Sequence, residues 1–191
     1  DPNTSLEESM GALDLMVRQG KALYVGVSSY TAVQTQEAIN VLRFLGTPLL
    51  IHQQKYSLFE RWVEKGLLDV LGNNGVGCIS FSSLAQGLLT NKYLNGIPAD
   101  SRAASGRGNG ALEAGAITEE KIAKLQKLNE LAIRRGQNLA QMSLAWVLKD
   151  PRMTSVIIGA SKPEQVIDSI GCLKNDSFAP EELEQIEAIL Q

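Results

Sequence analysis

The chain has 191 residues, 44% hydrophobic and 20% charged, with a formal net charge of -3 and a pI near 5.3. That is enough apolar material for a real core, and the mild acidity speaks against nucleic acid as the main partner. No apolar run reaches the ~18 residues that would cross a bilayer, so no membrane association is expected. Two cysteines make no disulfide framework, and the lone histidine, His52, excludes a His-rich metal site.

Asp1-Pro2-Asn3-Thr4 opens the chain without the marks of a secretory leader. With so few cysteines, a reduced cytoplasmic setting is the expectation. Thr4 and Ser5 stand before Glu7 and Glu8 at capping-box spacing. Leu6, Met10, Leu13 and Val17 then share one helical face, and Gly20 offers a C-terminal cap. Ala22 to Val27 reads as a first strand. A helix from Thr31, with Gln34 three residues on, stops before Gly46 and Pro48. Leu49 to Gln53 reads as the second strand, followed by a helix from about Glu60 to Leu71 that Gly72-Asn73-Asn74-Gly75 ends.

The third strand, Val76 to Phe81, runs directly into Ser82-Ser83-Leu84-Ala85-Gln86-Gly87-Leu88-Leu89-Thr90. Small and hydroxyl-bearing residues let a backbone approach a phosphate closely, and an aromatic at a strand end offers a flat face to a ring. The combination suggests a nucleotide with a planar head and an anionic middle. Phe81 as plain core and Ser82-Ser83 as a helix cap are the competing readings. Residues 98–116 carry small residues, no periodicity, Arg102 and Arg107, and read as a surface insertion or a lid. Helices near 119–135 and 139–149 follow, split by Gly136 and capped at Asn138 with Gln141. Thr154 to Ile158 is the fourth strand. Ser161-Lys162-Pro163-Glu164 opens another helix with Pro in its first turn, and the last covers Pro180 to Leu190.

None of the four strand-like runs alternates cleanly, which favours parallel strands covered on both faces. Repeated βα units fit half of an eight-unit barrel or a small open α/β sheet. No Gly-x-Gly-x-x-Gly follows a strand, so a doubly wound dinucleotide fold is disfavoured.

Several stretches together resemble the aldo-keto reductase family. They are Gly26-Val27-Ser28-Ser29-Tyr30, Ile51-His52-Gln53-Gln54-Lys55-Tyr56-Ser57-Leu58, Ser80 to Thr90, and Ile157-Ile158-Gly159-Ala160-Ser161-Lys162-Pro163-Glu164-Gln165. The helix Ala140 to Trp146 agrees as well, and the likeness extends over the whole chain. Within the family it is strongest to bacterial reductases of glyceraldehyde 3-phosphate and to their relatives, the β subunits of voltage-gated potassium channels.

The resemblance implies an α/β fold, a (β/α)8 TIM barrel, of which residues 1–191 supply the last four βα units and a C-terminal helix as one C-terminal half. It implies an enzyme, an NADPH-dependent oxidoreductase reducing small aldehydes and ketones. Ser28, Ser29 and Gln53 match the partners of the nicotinamide carboxamide, with Ser29 standing where the family more often has Asn. Phe81 matches the aromatic that stacks on the nicotinamide. Ser82, Leu84, Gln86 and Gly87 match the loop around the pyrophosphate. Gly159, Ser161, Lys162 and Gln165 match the adenosine end, with Ser161 and Lys162 at the 2′-phosphate.

The family's catalytic Asp, Tyr, Lys and His belong to the first half of the barrel. No catalytic residue and no metal site is therefore expected here, and the chain alone is expected to be inactive. His52 reads as a packing residue. The alternative function is a non-catalytic, NADPH-sensing interaction subunit like the channel β subunits. A half-barrel exposes two sheet edges and an interior where Val25, Ile51 or Ile79 would meet water. The expectation is that the chain pairs with its missing half, associates with a second copy as a homo-oligomer, or is part of a longer ordered protein.

Overall fold

The computed structural model describes residues 3–98 and 117–191; the proposed lid over 98–116, with Arg102 and Arg107, lies outside the described residues apart from Pro98. Two compact units emerge. The first comprises Asp1–Tyr56, Arg61–Phe81 and Pro151–Ser155, and the second Ser57–Glu60, Ser82–Asp150 and Val156–Gln191.

The first unit holds α1 (Leu6–Arg18), β1 (Val25–Ser28), α2 (Ala32–Leu45), β2 (Leu49–Lys55), α3 (Leu67–Asn74) and β3 (Gly77–Phe81). β4 (Met153–Val156) completes a four-stranded sheet in the order β1-β2-β3-β4. β1 with β2 and β2 with β3 are parallel. Strands adjacent in sequence are adjacent in space, as sequential βα winding produces. On the β4 side, the Thr154 hydroxyl accepts the Cys78 N–H at 3.1 Å.

The helix ends follow their local signals. Ser5 caps α1 through the Glu8 N–H, and Thr31 and Gln34 form a reciprocal capping box on α2. Gly46 ends α2 in the left-handed region at φ 83°. Met10, Ala38, Ile39, Leu42, Leu68 and Leu71 are buried on the helical side of the sheet.

Burial alternates along β1 and β3, so the expectation of strands covered on both faces is corrected. Val25, Val27, His52, Gln54, Cys78 and Ser80 are buried, whereas Gly26, Ser28, Ile51, Gln53, Gly77, Ile79 and Phe81 are open or half-buried. Val25 therefore lies on the covered side and does not meet water with Ile51 and Ile79. The open face is nonetheless shaped for packing. Ile51 stands in register between Gly26 and Gly77. A Cβ on Gly26 would come within 2.7 Å of Ile51 Cγ2 and 2.8 Å of the Ile51 carbonyl oxygen.

Three element boundaries also depart from expectation. Ala22 to Tyr24 lie outside β1, with Leu23 83% and Tyr24 69% exposed. β4 begins at Met153 and stops at Val156, leaving Ile157 and Ile158 beyond it. The helix expected from Glu60 to Leu71 instead begins at Leu67 and runs through Gly72 to Asn74. Gly66, left-handed at φ 94°, breaks the chain direction before it, and Gly75 at φ 66° ends it.

The second unit contains α4 (Glu119–Arg134), α5 (Leu139–Leu148), α6 (Pro163–Ile170) and α7 (Pro180–Leu190). Asn138 and Gln141 form the expected capping box on α5. Arg135, just beyond α4, is a central tie. Its guanidinium donates to Glu182 at 2.5 Å, to Ser177 O at 2.8 Å and to Asn175 O at 3.0 Å, and lies over the Phe178 ring.

Candidate functional site

Parallel sheets gather functional groups at the carboxyl ends of their strands. In the first unit that end carries Ser28, Ser29, Gln53 and Phe81. Ser28 closes β1 and is the direct partner of Gln53 on β2. The Ser29 N–H donates to the Gln53 carbonyl at 3.1 Å, and the Ser28 and Ser29 hydroxyls are 3.5 Å apart. Ser28 is exposed and Gln53 half-buried on the open face. Phe81 closes β3 one row further along the sheet, opposite Lys55, and its half-buried ring shares that face. Three polar side chains and one aromatic are thus brought together at adjacent strand ends.

The backbone there is unusual. Among the described residues, the non-glycine positions with positive φ are Ser29 (61°), Ser82 (54°), Ala85 (46°) and Gln86 (60°). A left-handed conformation costs an L-residue about 1–2 kcal/mol. These strained residues all follow the carboxyl ends of β1 and β3. Ser29 belongs to the first unit and Ser82, Ala85 and Gln86 to the second, and backbone strain of this kind is found at ligand-binding loops. Ala85 was not singled out in the sequence, where nothing distinguishes it from an ordinary loop alanine.

In the second unit the loop after β3 is tightly self-bonded. The Ala85 N–H donates to Ser82 O at 2.7 Å, Gly87 N–H to Leu84 O at 2.9 Å, and the Thr90 hydroxyl to Gly87 O at 2.7 Å. The N–H groups of Ala85 and Gly87 are therefore engaged inside the loop. Leu84 packs, with Val156 and Ile158, against the buried cluster of Leu144, Ala145 and Cys172. One core cluster thus seats both the loop after β3 and the segment leading to Gly159. Burial raises the Cys172 thiol pKa, which makes it a poor nucleophile.

Gly159, Ser161, Lys162 and Gln165 are exposed around the start of α6. The N–H groups of Ser161 and Lys162 are engaged within the chain. The Gln165 side-chain oxygen accepts the Ser161 N–H at 2.7 Å, the Lys162 N–H at 3.2 Å and the Ser161 hydroxyl at 3.2 Å. The same residue type that caps a helix also blankets its anion-binding end.

His52 is fully buried, and that burial lowers its pKa from 6.5 to about 4. It is neutral at pH 7 and packs beside Gln54, whose Nε2 lies 2.8 Å from His52 Nδ1. The Gln54 side-chain oxygen is buried and accepts no hydrogen bond among the described residues. A clasp after β2 has no distinctive signal in the residue pattern. There the Tyr56 hydroxyl donates to Glu64 at 2.8 Å, and Arg61 pairs with the same carboxylate. Arg61 and Glu64 stand three apart, a spacing that reads equally well as an ordinary helical ion pair. Among the described residues, no cluster of three or more His, Cys, Asp or Glu could hold a metal, and no helix is long and apolar enough to cross a membrane.

The sequence matches the aldo/keto reductase family over residues 1–191. It is 53% identical over 189 residues to the L-glyceraldehyde 3-phosphate reductase of Escherichia coli K12, covering 98% of this chain and 55% of that protein. The protein of the same name from E. coli O157:H7 matches to the same extent. The chain thus spans about half the length of these relatives. A crystal structure of a thermostable aldo-keto reductase with the inhibitor epalrestat superposes with a TM-score of 0.71 at 24% identity. That match covers 99% of this chain and 56% of the other, and it shows a shared fold. This chain belongs to the aldo/keto reductase family.

Proposed function

We propose that the protein containing this chain is an NADPH-dependent oxidoreductase that reduces small aldehydes or ketones, glyceraldehyde 3-phosphate among them. These residues would form the C-terminal half of its barrel and much of its cofactor site. The observation that carries the reading is the pairing of Ser28 with Gln53 at the carboxyl ends of β1 and β2, on the face that Phe81 shares. The identity to a reductase supports an enzyme over a sensing subunit.

The residues present fit the cofactor. Ser28, Ser29 and Gln53 offer donors and acceptors suited to a carboxamide. Phe81 offers an apolar ring face beside them. Ser82, Leu84, Gln86 and Gly87 would border the pyrophosphate, chiefly by shape, since much of their loop is bonded to itself. Ser161 and Lys162 would meet the 2′-phosphate with a hydroxyl and an ammonium. Their N–H groups become available only when the Gln165 carboxamide swings aside. When bound, the nicotinamide supplies the hydride. This chain's part is to orient the ring and to exclude water from it. The proton donor would come from the family's tyrosine, on the part of the relatives that the chain does not span.

Titration of the full-length protein with NADPH, followed by nicotinamide fluorescence, tests the assignment. Gln53→Ala and Phe81→Ala are expected to weaken binding about tenfold or more, on the scale of a lost buried hydrogen bond or stacking face. Full binding by both variants, with carbonyl reduction intact, would refute it.

A further inference from the structure

Across β1, β2, β3 and β4 one residue is charged at neutral pH: Lys55, the last residue of β2. β2 has a neighbouring strand on each side, a setting in which lysine is disfavoured. Side chains alternate along a strand, so Lys55 shares the open face with Ile51 and Gln53, while His52 and Gln54 lie on the covered one. Lys55 is exposed on that face and stands opposite Phe81 in the register of β2 with β3. Its Cα lies about 7 Å beyond that of Gln53 along the strand, and Gln53 is itself opposite Ser28. A cation is thus placed at the same strand ends as the amide, the hydroxyl and the aromatic ring. Ser29 to Thr31 and Ser82 to Thr90, the segments that follow β1 and β3, contain no Asp or Glu. They add no negative charge to that end of the sheet.

Cofactor binding gives Lys55 no task. The carboxamide that would meet Ser28, Ser29 and Gln53 is neutral, and the 2′-phosphate falls to Ser161 and Lys162. Resting on the reductase reading above, we propose that Lys55 binds the phosphoryl group of a phosphorylated aldehyde substrate and so selects anionic over neutral carbonyls. A three-carbon aldehyde phosphate reduced at a nicotinamide beside Gln53 carries its phosphoryl group only a few bonds from the reacting carbonyl. The four-carbon stem of lysine spans a similar reach from the strand end. An ammonium is a compact point charge that suits a phosphate. Its attraction to a dianion grows where water is partly excluded, as beside an apolar ring.

Steady-state reduction of glyceraldehyde 3-phosphate and of glyceraldehyde by the full-length protein, at saturating NADPH, tests this. The readout is the ratio of kcat/KM for the two aldehydes, which should favour the phosphorylated one in the wild type. Lys55→Ala should lower that ratio about tenfold or more, mainly through KM for the phosphorylated substrate, as the loss of one charge-assisted contact predicts. Lys55→Arg keeps the cation and should retain most of the ratio. Titrations with NADPH and NADH separate the two sources of phosphate. Equal weakening of both cofactors with the ratio unmoved would give the ammonium to the pyrophosphate and overturn the proposal. A lowered Tm with the ratio unmoved would make Lys55 structural and overturn it as well, as would a wild type that does not prefer the phosphorylated aldehyde. A wild type that reduces neither aldehyde would remove the reductase reading and this inference with it. Reduction of both, with Lys55→Ala matching the wild-type ratio, would remove this inference alone.

Discussion

The burial of His52 makes a prediction about acid stability. Its imidazole is fully enclosed, and burial depresses its pKa from 6.5 to about 4. In the unfolded chain the same group protonates near its ordinary value. Between those limits the unfolded state binds a proton that the folded state refuses, so lowering pH favours unfolding. The contribution is complete above about pH 6.5, declines as pH falls, and is gone near pH 4. At about 1.4 kcal/mol per unit of displacement, the group accounts for about 3 kcal/mol across that window. This is a large share of the ~5–15 kcal/mol by which domains are stable. Denaturant melts should be run from pH 7.5 to 4 on the wild type and on His52→Gln, which keeps a polar side chain but does not titrate. Carboxylates such as Asp14, whose pKa is lowered by the Thr47 hydroxyl and by Arg18, contribute equally to both proteins and cancel. The stability difference between wild type and variant should shrink by about 3 kcal/mol toward pH 4. A difference that stays constant with pH would refute the reasoning, as would an NMR titration placing His52, the chain's only histidine, near 6.5.

Other consequences are independent of His52. Gly26→Ala should cost about 1–3 kcal/mol in denaturant unfolding, since its Cβ would press on both the side chain and the backbone oxygen of Ile51. Adding Ile51→Ala should recover only part, because the 2.8 Å clash with the carbonyl remains. Arg135→Met should cost about 3–5 kcal/mol in thermal unfolding, because Glu182 loses its buried cation and Ser177 O the guanidinium donor, while the Gln137 amide stays on Asn175 O and the Ala179 N–H on Glu182. Lys162→Ala should weaken NADPH by about 1–3 kcal/mol in equilibrium titration and leave NADH nearly unchanged. Equal loss for both cofactors would remove Lys162 from the 2′-phosphate.

What the sequence discloses is what short-range chemistry decides. The capping boxes of Thr31 with Gln34 and Asn138 with Gln141 are complete within one helical turn, so both helix starts are legible residue by residue. Pro163 and Pro180 fix two more. The strands were located by their apolar runs, and the strand ends that carry Ser28, Gln53 and Phe81 followed from them. Resemblance gave those residues their roles, and geometry then made three of them neighbours on one face. Glu60 to Leu71 has helical spacing, but its first part makes only a short 3-10 turn at Trp62–Glu64, where Tyr56 and Arg61 bond Glu64, before Gly66 breaks the chain direction. Gln165, which the resemblance places at the adenosine end, also caps the start of its own helix through Ser161 and Lys162.

The open face of the sheet shows why composition along a strand cannot report which side is buried. Ile51 is apolar and half-buried, while Gln54 on the same strand is polar and enclosed. Position along the strand decides this through its two-residue period, and side-chain polarity does not. His52 and Gln54 are tolerated on the covered face because the imidazole remains neutral and the Gln54 amide donates toward Tyr30 O. Ile51 has room on the open face because Gly26 and Gly77 carry no side chain, and over Gly77 it shares that room with the Thr154 hydroxyl. A glycine on each neighbouring strand thus stands in register with one large residue. That three-residue row gives the open face a packed shape that apolar content alone could not predict.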